Sequence, residues 1–348
     1  MAFLVAGFFG GVFGGAPVQA ASGAKAQQPP HEGAKVTLSE TSIDGPAFWT
    51  NAPTGEPGAP ADDLVAWTGT DSAHHLNLMR VNHSSSNGFT FDNKRTLAET
   101  SFIRPALVVQ PQQDTPYEIY LAWAGTNIAH SLNVMYERGA TRIKLTLWQE
   151  TTDNPPAIAL FNGKLWLAWS GTDAGHTLNV VDISLKNGQL IPGHKTTLQG
   201  YTARFGPSLA HDFHQQQLVL TFATLASGRI DFATSLDGLK WVRPLSAPMT
   251  EWSAASPTLI AFMTLDPLTS HYSLAWTGTN SAHSVNVWST EVFPLWQFPA
   301  ANKAVLPESA IGSPALGWMA SNPDQPDIAV MWTGTDALHH LNIAQIVD

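Results

Sequence analysis

One eleven-residue motif, Trp-Thr/Ala/Ser-Gly-Thr-Asp/Asn-x-x-His-x-Leu/Val-Asn, occurs five times along the chain. It begins at Trp67, Trp123, Trp169, Trp276 and Trp332. Each copy places a histidine seven residues after the tryptophan (His74, His130, His176, His283, His339) and an asparagine ten after it. A degenerate sixth copy starts at Phe222, with Arg229 in the His place. The six start positions lie 56, 46, 53, 54 and 56 residues apart. A period near fifty residues is the mark of a repeat architecture, in which each unit is one supersecondary element that cannot bury its apolar surface alone.

A second series runs in step with the first. Pro46, Pro105, Pro156, Pro207, Pro257 and Pro314 each open a short apolar run, and the Trp motif follows roughly twenty residues on. Proline has no N–H for a ladder and is at home at the first residue of an edge strand, such as one lining a central channel. Each unit reads as four strands: the Pro-initiated run, the run ending in the motif Trp, the Leu-Asn-Val run, and an outer run. The outer runs are Lys94–Glu99, Lys144–Glu150, Lys195–Gln199, Trp241–Ala247 and Lys303–Leu306. The Trp-ending runs are apolar at successive positions, as in Leu165-Trp-Leu-Ala-Trp169, which suits a sheet covered on both faces. Nothing has a helical period over a useful length.

Four-stranded sheets repeated radially make a β-propeller, so the expected fold is all-β, a single six-bladed propeller over residues 35–348. The last unit ends after its third strand. Lys35-Val-Thr-Leu-Ser-Glu40 matches Lys94-Arg-Thr-Leu-Ala-Glu99 and is expected to complete that unit, closing the ring without a disulfide in a chain that has no cysteine. Upstream, Ala2–Ala16 is apolar and glycine-rich, and Val18-Gln19-Ala20 offers a small-residue cleavage site. Residues 1–20 therefore read as a signal peptide and 21–34 as a flexible leader, which makes the protein secreted, with no membrane span in its mature form. A net charge of −10 argues against nucleic acid and anionic membranes as partners. A monomer is expected, and no cofactor or metal is called for.

Six residues before each blade-opening proline stand Glu40, Glu99, Glu150, Tyr201, Glu251 and Glu308. Tyr201 precedes the one unit that has lost its His, so Glu and His vanish together. This predicts five pairs: Glu40–His74, Glu99–His130, Glu150–His176, Glu251–His283 and Glu308–His339. The motif residues resemble the buried Asp-His-Ser/Thr-Trp network of WD-type propellers, which implies a structural role. Free exchange of Asp and Asn after Gly-Thr (Asp71, Asn127, Asp173, Asn280, Asp336) fits a turn acceptor and not a general acid. The alternative is one small-ligand pocket per unit, as in sugar-binding propeller lectins.

The fourth unit departs most from the pattern. Its Ser235-Leu-Asp237-Gly238-Leu-Lys-Trp241 resembles the Asp-box of sialidase-like propellers, a structural turn in that family. The resemblance implies an arginine cluster on a substrate carboxylate, here Arg104, Arg204 and Arg229, with Tyr201 as nucleophile and Asp44 nearby. Asp231 and Trp252 are further ligand-binding candidates on the same face. Thirteen tryptophans are many for this length; outside the motif they are Trp49, Trp148, Trp166, Trp241, Trp252, Trp288, Trp296 and Trp318. Exposed rings stack well on sugar faces. The expected function is an exported, lectin-like carbohydrate-binding propeller whose partner is a glycan or polysaccharide. The alternatives are a sialidase-type exo-glycosidase and a protein-interaction scaffold.

Overall fold

The computed structural model describes residues 31–50, 63–84, 88–110, 117–244, 249–265, 268–290, 302–319 and 327–347. The signal peptide, most of the leader, Trp296 and the outer end of the 241–247 run lie outside these residues. Among the described residues there is no α-helix, and hence none long and apolar enough to cross a membrane.

Three sheets are four-stranded meanders. The first is β2 (Ala47–Trp49), β3 (Asp63–Thr68), β4 (His75–Ser84) and β5 (Gly88–Thr100). The second is β6 (Ala106–Gln110), β7 (Glu118–Ala124), β8 (Ser131–Arg138) and β9 (Thr141–Thr151). The third is β10 (Ala157–Phe161), β11 (Lys164–Ser170), β12 (Thr177–Lys186) and β13 (Gln189–Thr202). A fourth sheet has three strands, β14 (Ser208–Asp212), β15 (Gln217–Ala223) and β16 (Ile230–Ser235). Where its outer strand was expected there is the single bridge Thr234↔Val242. Pro244 follows two residues later and has no N–H with which to extend a ladder.

The remaining sheet has seven strands in place of two separate blades. It contains β17 (Thr258–Leu265), β18 (Leu268–Thr277), β19 (Ser284–Thr290), β20 (Lys303–Met319), β21 (Asp327–Gly334), β22 (His340–Val347) and the N-terminal β1 (His31–Thr41). The cause is β20. Its first half pairs with β19 (Asn286↔Val305) and its second with β21 (Ala315↔Met331), with a register shift between Ile311 and Ala315. One continuous strand thus serves as the outer strand of one unit and the inner strand of the next. The structure is a propeller-like arrangement of five small sheets, not the six separate ones expected.

β1 pairs antiparallel with β22, through Lys35↔Ala344 and Thr37↔Asn342, as the sequence match required. It begins at His31, earlier than the expected Lys35. The inner strands meet in succession, β2 with β6, β6 with β10, β10 with β14, β14 with β17, β17 with β20, and β20 again with β2. Each apolar cluster lies between consecutive units. One joins Trp123, Leu121 and Leu107 to Ala66, Leu78 and Leu97; another joins Trp67 and Val65 to Met331 and Ile343. All five motif tryptophans are buried.

Candidate functional site

The motif loops, the loops that open each unit, and the ends of the outer strands all lie at one end of the strands. This follows from the antiparallel registers that set Ala47 opposite Ala66, Thr68 opposite Leu76 and His75 opposite Thr100. After the glycine of each motif the chain makes a tight turn. In the first unit Asp71 accepts the N–H groups of Ala73 (3.1 Å) and His75 (3.2 Å) and bonds the His75 ring at 2.7 Å. Asp336 does the same with His340, and Asp173 with Thr177. Where the residue is asparagine, its amide accepts the Ser131 or Ser284 N–H and donates to the same serine's hydroxyl, every bond 3.0 Å. Carboxylate turns therefore carry His or Thr four residues on, and amide turns carry Ser. The Asp/Asn exchange is one turn built with two donor–acceptor polarities.

Partial desolvation pushes the carboxyls of Asp71, Asp173 and Asp336 up, but the hydrogen bonds they accept outweigh it and hold all three below the ordinary aspartate value. Their contribution to stability is complete above the unfolded aspartate value near 4 and is lost as pH falls through the lower folded values. Thermal melts should accordingly hold level from pH 7 to about 5 and fall below about pH 4. A melting temperature that rises on acidification would contradict this.

The motif histidines do not pair with the glutamates. Each has a left-handed backbone, with φ of 57° at His74, 50° at His130, 43° at His176, 49° at His283 and 59° at His339. Asn, Asp and His tolerate that region better than most residues. Each His carbonyl accepts an N–H from the strand-exit loop of its own unit, as in Ser101 N–H to His74 (3.0 Å) and Ala310 N–H to His283 (3.1 Å). The backbone of these residues supports the blade exit, and the side chains take varied partners. His130 bonds Asp153 at 2.6 Å and stacks on Phe102, and the buried His176 Nδ1 has no partner among the described residues.

The glutamates pair instead with lysines. Lys94 bonds Glu40, Lys144 bonds Glu99, Lys195 bonds Glu150, Lys303 bonds Glu251 (2.7 Å) and Lys35 bonds Glu308 (2.6 Å). Each ammonium also lies over a motif indole: Lys35 over Trp332, Lys94 over Trp67, Lys144 over Trp123, Lys195 over Trp169 and Lys303 over Trp276, at 5.2–5.7 Å from the ring. In β1, β5, β9 and β20 the Lys precedes the Glu by five or six residues, and in each set the Glu of one unit meets the Lys and Trp of the next. Two residues after the Lys, a threonine hydroxyl donates to the motif Asn: Thr96 to Asn77, Thr146 to Asn133, Thr197 to Asn179 and Thr37 to Asn342 (2.7–2.8 Å). Positions i and i+2 share a strand face, which brings Lys and Thr to the same groove. A threonine pair closes three of these boundaries: Thr41–Thr70, Thr100–Thr126 and Thr151–Thr172.

Ammonium and carboxylate are both partly exposed in every set, whereas the indole beneath is buried. Exposed ion pairs contribute about 0–1 kcal/mol, and a solvent-exposed cation over a ring about 0.5–1 kcal/mol. Lys144→Met, which removes both, should therefore lower the unfolding free energy by no more than about 2 kcal/mol in urea titrations. A larger loss would make the ion pair, and not the indole, the principal tie between units. In the sequence these lysines recur as the first residue of every outer run but Trp241–Ala247, and that recurrence is the signal of their shared role.

The fourth unit is shorter by one residue in its motif. Phe222 opposes Asp231, so Asp231 stands in the Asn place although it comes one residue early by count. Gly228, with φ of 73°, stands in the His place, and its carbonyl accepts the Ser253 N–H at 2.9 Å. Arg229 falls one position later. Tyr201 takes the Glu place, Arg243 lies 4.7 Å over its ring, and Arg243 pairs with Asp231 at 3.3 Å. This unit keeps a cation on an aromatic ring with reversed assignments. Burial pushes the Tyr201 hydroxyl up, Asp231 adding to that and Arg243 opposing it, and the hydroxyl donates to the Trp241 carbonyl at 3.4 Å. Ser235, Asp237 and Gly238 form a closed turn in which Asp237 accepts the Leu239 and Lys240 N–H groups at 2.8 Å.

The three arginines do not share one surrounding. Arg204 is exposed beside Phe205 and near Gly228. The Arg229 Nε is buried without a hydrogen-bond partner among the described residues. Arg104 instead reaches across the axis to Thr258 (3.1 Å) and the Pro314 carbonyl (3.3 Å). Asp44 accepts the backbone N–H of Gly45 (2.6 Å) and of Arg104 (3.1 Å). Trp252 is half-exposed, and its backbone bridges to Arg229. Among the described residues no group of three or more His, Asp or Glu is placed to hold a metal.

No protein-family model matches the chain, and no curated protein matches it. Solved structures do. AofleA from Arthrobotrys oligospora superposes with a TM-score of 0.61 at 12% identity, covering 92% of this chain and 87% of that one. The chain shares the β-propeller fold. The lectin SapL1 in complex with alpha-methyl fucoside matches at TM-score 0.61 and 9% identity, over 88% of this chain and 94% of that one. A variant of Aleuria aurantia lectin bound to alpha-methyl-L-fucoside gives 0.56 and 11%, over 89% and 96%. A Hadza microbial sialidase, Hz136, gives 0.54 and 13%, over 88% of this chain and 66% of that one.

Proposed function

We propose that the protein is an exported, monomeric carbohydrate-binding β-propeller that displays repeated glycan sites in the grooves between consecutive units. In this reading the seven-stranded sheet counts as two four-stranded blades sharing β20, so the ring has six blades. The observation that carries the proposal is the set of Glu, Lys and Trp that recurs at five of six boundaries with its charges partly exposed. A catalytic site needs one special constellation, whereas equal sites spread around a ring suit a ligand that is itself repeated on a surface, where weak contacts gain by avidity. Carboxylate, ammonium and threonine hydroxyls are donors and acceptors suited to sugar hydroxyls. The neighbours named as lectins bear fucosides, so fucosylated glycans are the first ligands to test.

The test is a glycan array with residues 27–348, beside Arg229→Ala and a triple variant Lys94→Met, Lys144→Met, Lys195→Met. Binding that survives Arg229→Ala and falls at least tenfold in the triple variant is expected. Silence across the array, or loss with Arg229→Ala alone, would contradict it. Export predicts a mature N-terminus at Ala21, which N-terminal sequencing of protein from the extracytoplasmic fraction would check.

A further inference from the structure

A cavity of about 520 Å³ runs along the axis between the six inner strands. Its walls are largely carbon, with Val108, Ile158, Leu160 and Ile260 along the strands and Trp49 and Trp318 among the rings. At the end bearing the motif loops, two pairs of neighbouring connections pack without space between them. A Cβ on Gly45 would lie 1.8 Å from the Ser313 carbonyl oxygen, and one on Gly206 would lie 2.0 Å from that of Pro155. Arg104 stands at this end and lines the cavity.

The guanidinium is enclosed by protein yet reached from the cavity. Its Nη1 donates to two neutral oxygens, Thr258 Oγ1 at 3.1 Å and the Pro314 carbonyl at 3.3 Å. Among the described residues, Nε and Nη2 make no hydrogen bond and no carboxylate forms an ion pair with the group. Asp44 directs its oxygens to the backbone N–H groups of Gly45 and Arg104. Burial lowers the Arg104 value to about 10, against the opposing field of Asp44, so the group keeps its charge at neutral pH. A buried cation with donors left over is costly unless an anion completes it.

We propose that the axial cavity binds a small apolar monocarboxylate, its carboxylate on Arg104 Nε and Nη2 and its hydrocarbon body along the inner strands. The planar guanidinium fork matches the two oxygens of a carboxylate. The volume lies within the range of small-molecule pockets, roughly 300–1,000 Å³. A polyhydroxylated acid does not suit the walls, because its hydroxyls would lose water against carbon. This site is separate from the inter-unit grooves and independent of any glycan bound there.

The test is calorimetric titration of the whole chain with octanoate, octan-1-ol and N-acetylneuraminate, read in parallel by tryptophan fluorescence from Trp49 and Trp318. Octanoate is expected to bind at least roughly tenfold more tightly than octan-1-ol, as charged hydrogen bonds imply, and to change the fluorescence. Arg104→Met should bring octanoate down to the level of the alcohol. Arg104→Lys, which keeps the charge without the fork, should lie between; it decides the matter with the wild-type comparison if the Met variant does not fold. Octanoate binding no tighter than octan-1-ol, binding of neuraminate alone, or octanoate affinity unchanged in Arg104→Met would each overturn the proposal.

Discussion

Replacing Trp169 with alanine is expected to lower the unfolding free energy by about 3–5 kcal/mol, the usual cost of removing a fully buried tryptophan. Trp169 belongs to the cluster that joins its own Leu167, Val181 and Ile183 to Ala122, Leu132 and Val134 of the preceding unit. The indole is fully buried, so the cavity left by alanine opens at the boundary between two units and not inside one sheet. The Lys195 ammonium above the ring and its Glu150 partner would lose their platform but remain in water, and add little. Urea denaturation followed by far-ultraviolet circular dichroism measures the loss. A change under about 1 kcal/mol would mean that the motif tryptophans do not hold the ring together.

Deleting residues up to Thr41 should be more damaging still. β1 is the outer strand of the last unit, and Leu38 is buried in the cluster that contains Met331, Leu341, Ile343 and Trp67. Without it, β22 becomes an open edge, Asn342 loses the Thr37 hydroxyl and Glu308 loses Lys35. An unprotected strand edge is a template for association with other chains. A chain starting at Ser42 is therefore expected to lose its cooperative unfolding transition or to aggregate. A synthetic peptide of residues 31–41 added in trans should restore the transition. A truncated chain that stays monomeric and unfolds as the full one does would show that β1 is dispensable.

The repeat made much of the fold legible. Five Trp motifs and six prolines give the strand order within each unit, and the match of Lys35–Glu40 to Lys94–Glu99 identifies which strand closes against β22. Three features were not legible. The run from Lys303 to Met319 stays paired on both sides, although Pro307 and Pro314 stand within it, because Gly312 turns the backbone through positive φ and lets pairing resume at Ala315. The partner of each glutamate was also hidden. Within one chain the fourth unit loses Glu, His and Lys together, so their joint absence cannot say which two of them meet. Periodicity tells which residues recur; packing between units decides which recurring residues touch, and that depends on strand stagger. The one-residue contraction at Gly228 is hidden for a similar reason, since Arg229 holds the seventh place after Phe222 only in number.

Boundaries between units that act as equivalent binding sites can be counted. The most direct measurement is the stoichiometry of a monovalent sugar, α-methyl fucoside first, titrated calorimetrically into the monomeric chain. Five equivalent Glu–Lys–Trp sets predict a value near five per chain, falling toward four when Glu99→Ala and Lys144→Met are combined at one boundary. A single site unaffected by that double variant would place recognition elsewhere on the ring and contradict the account.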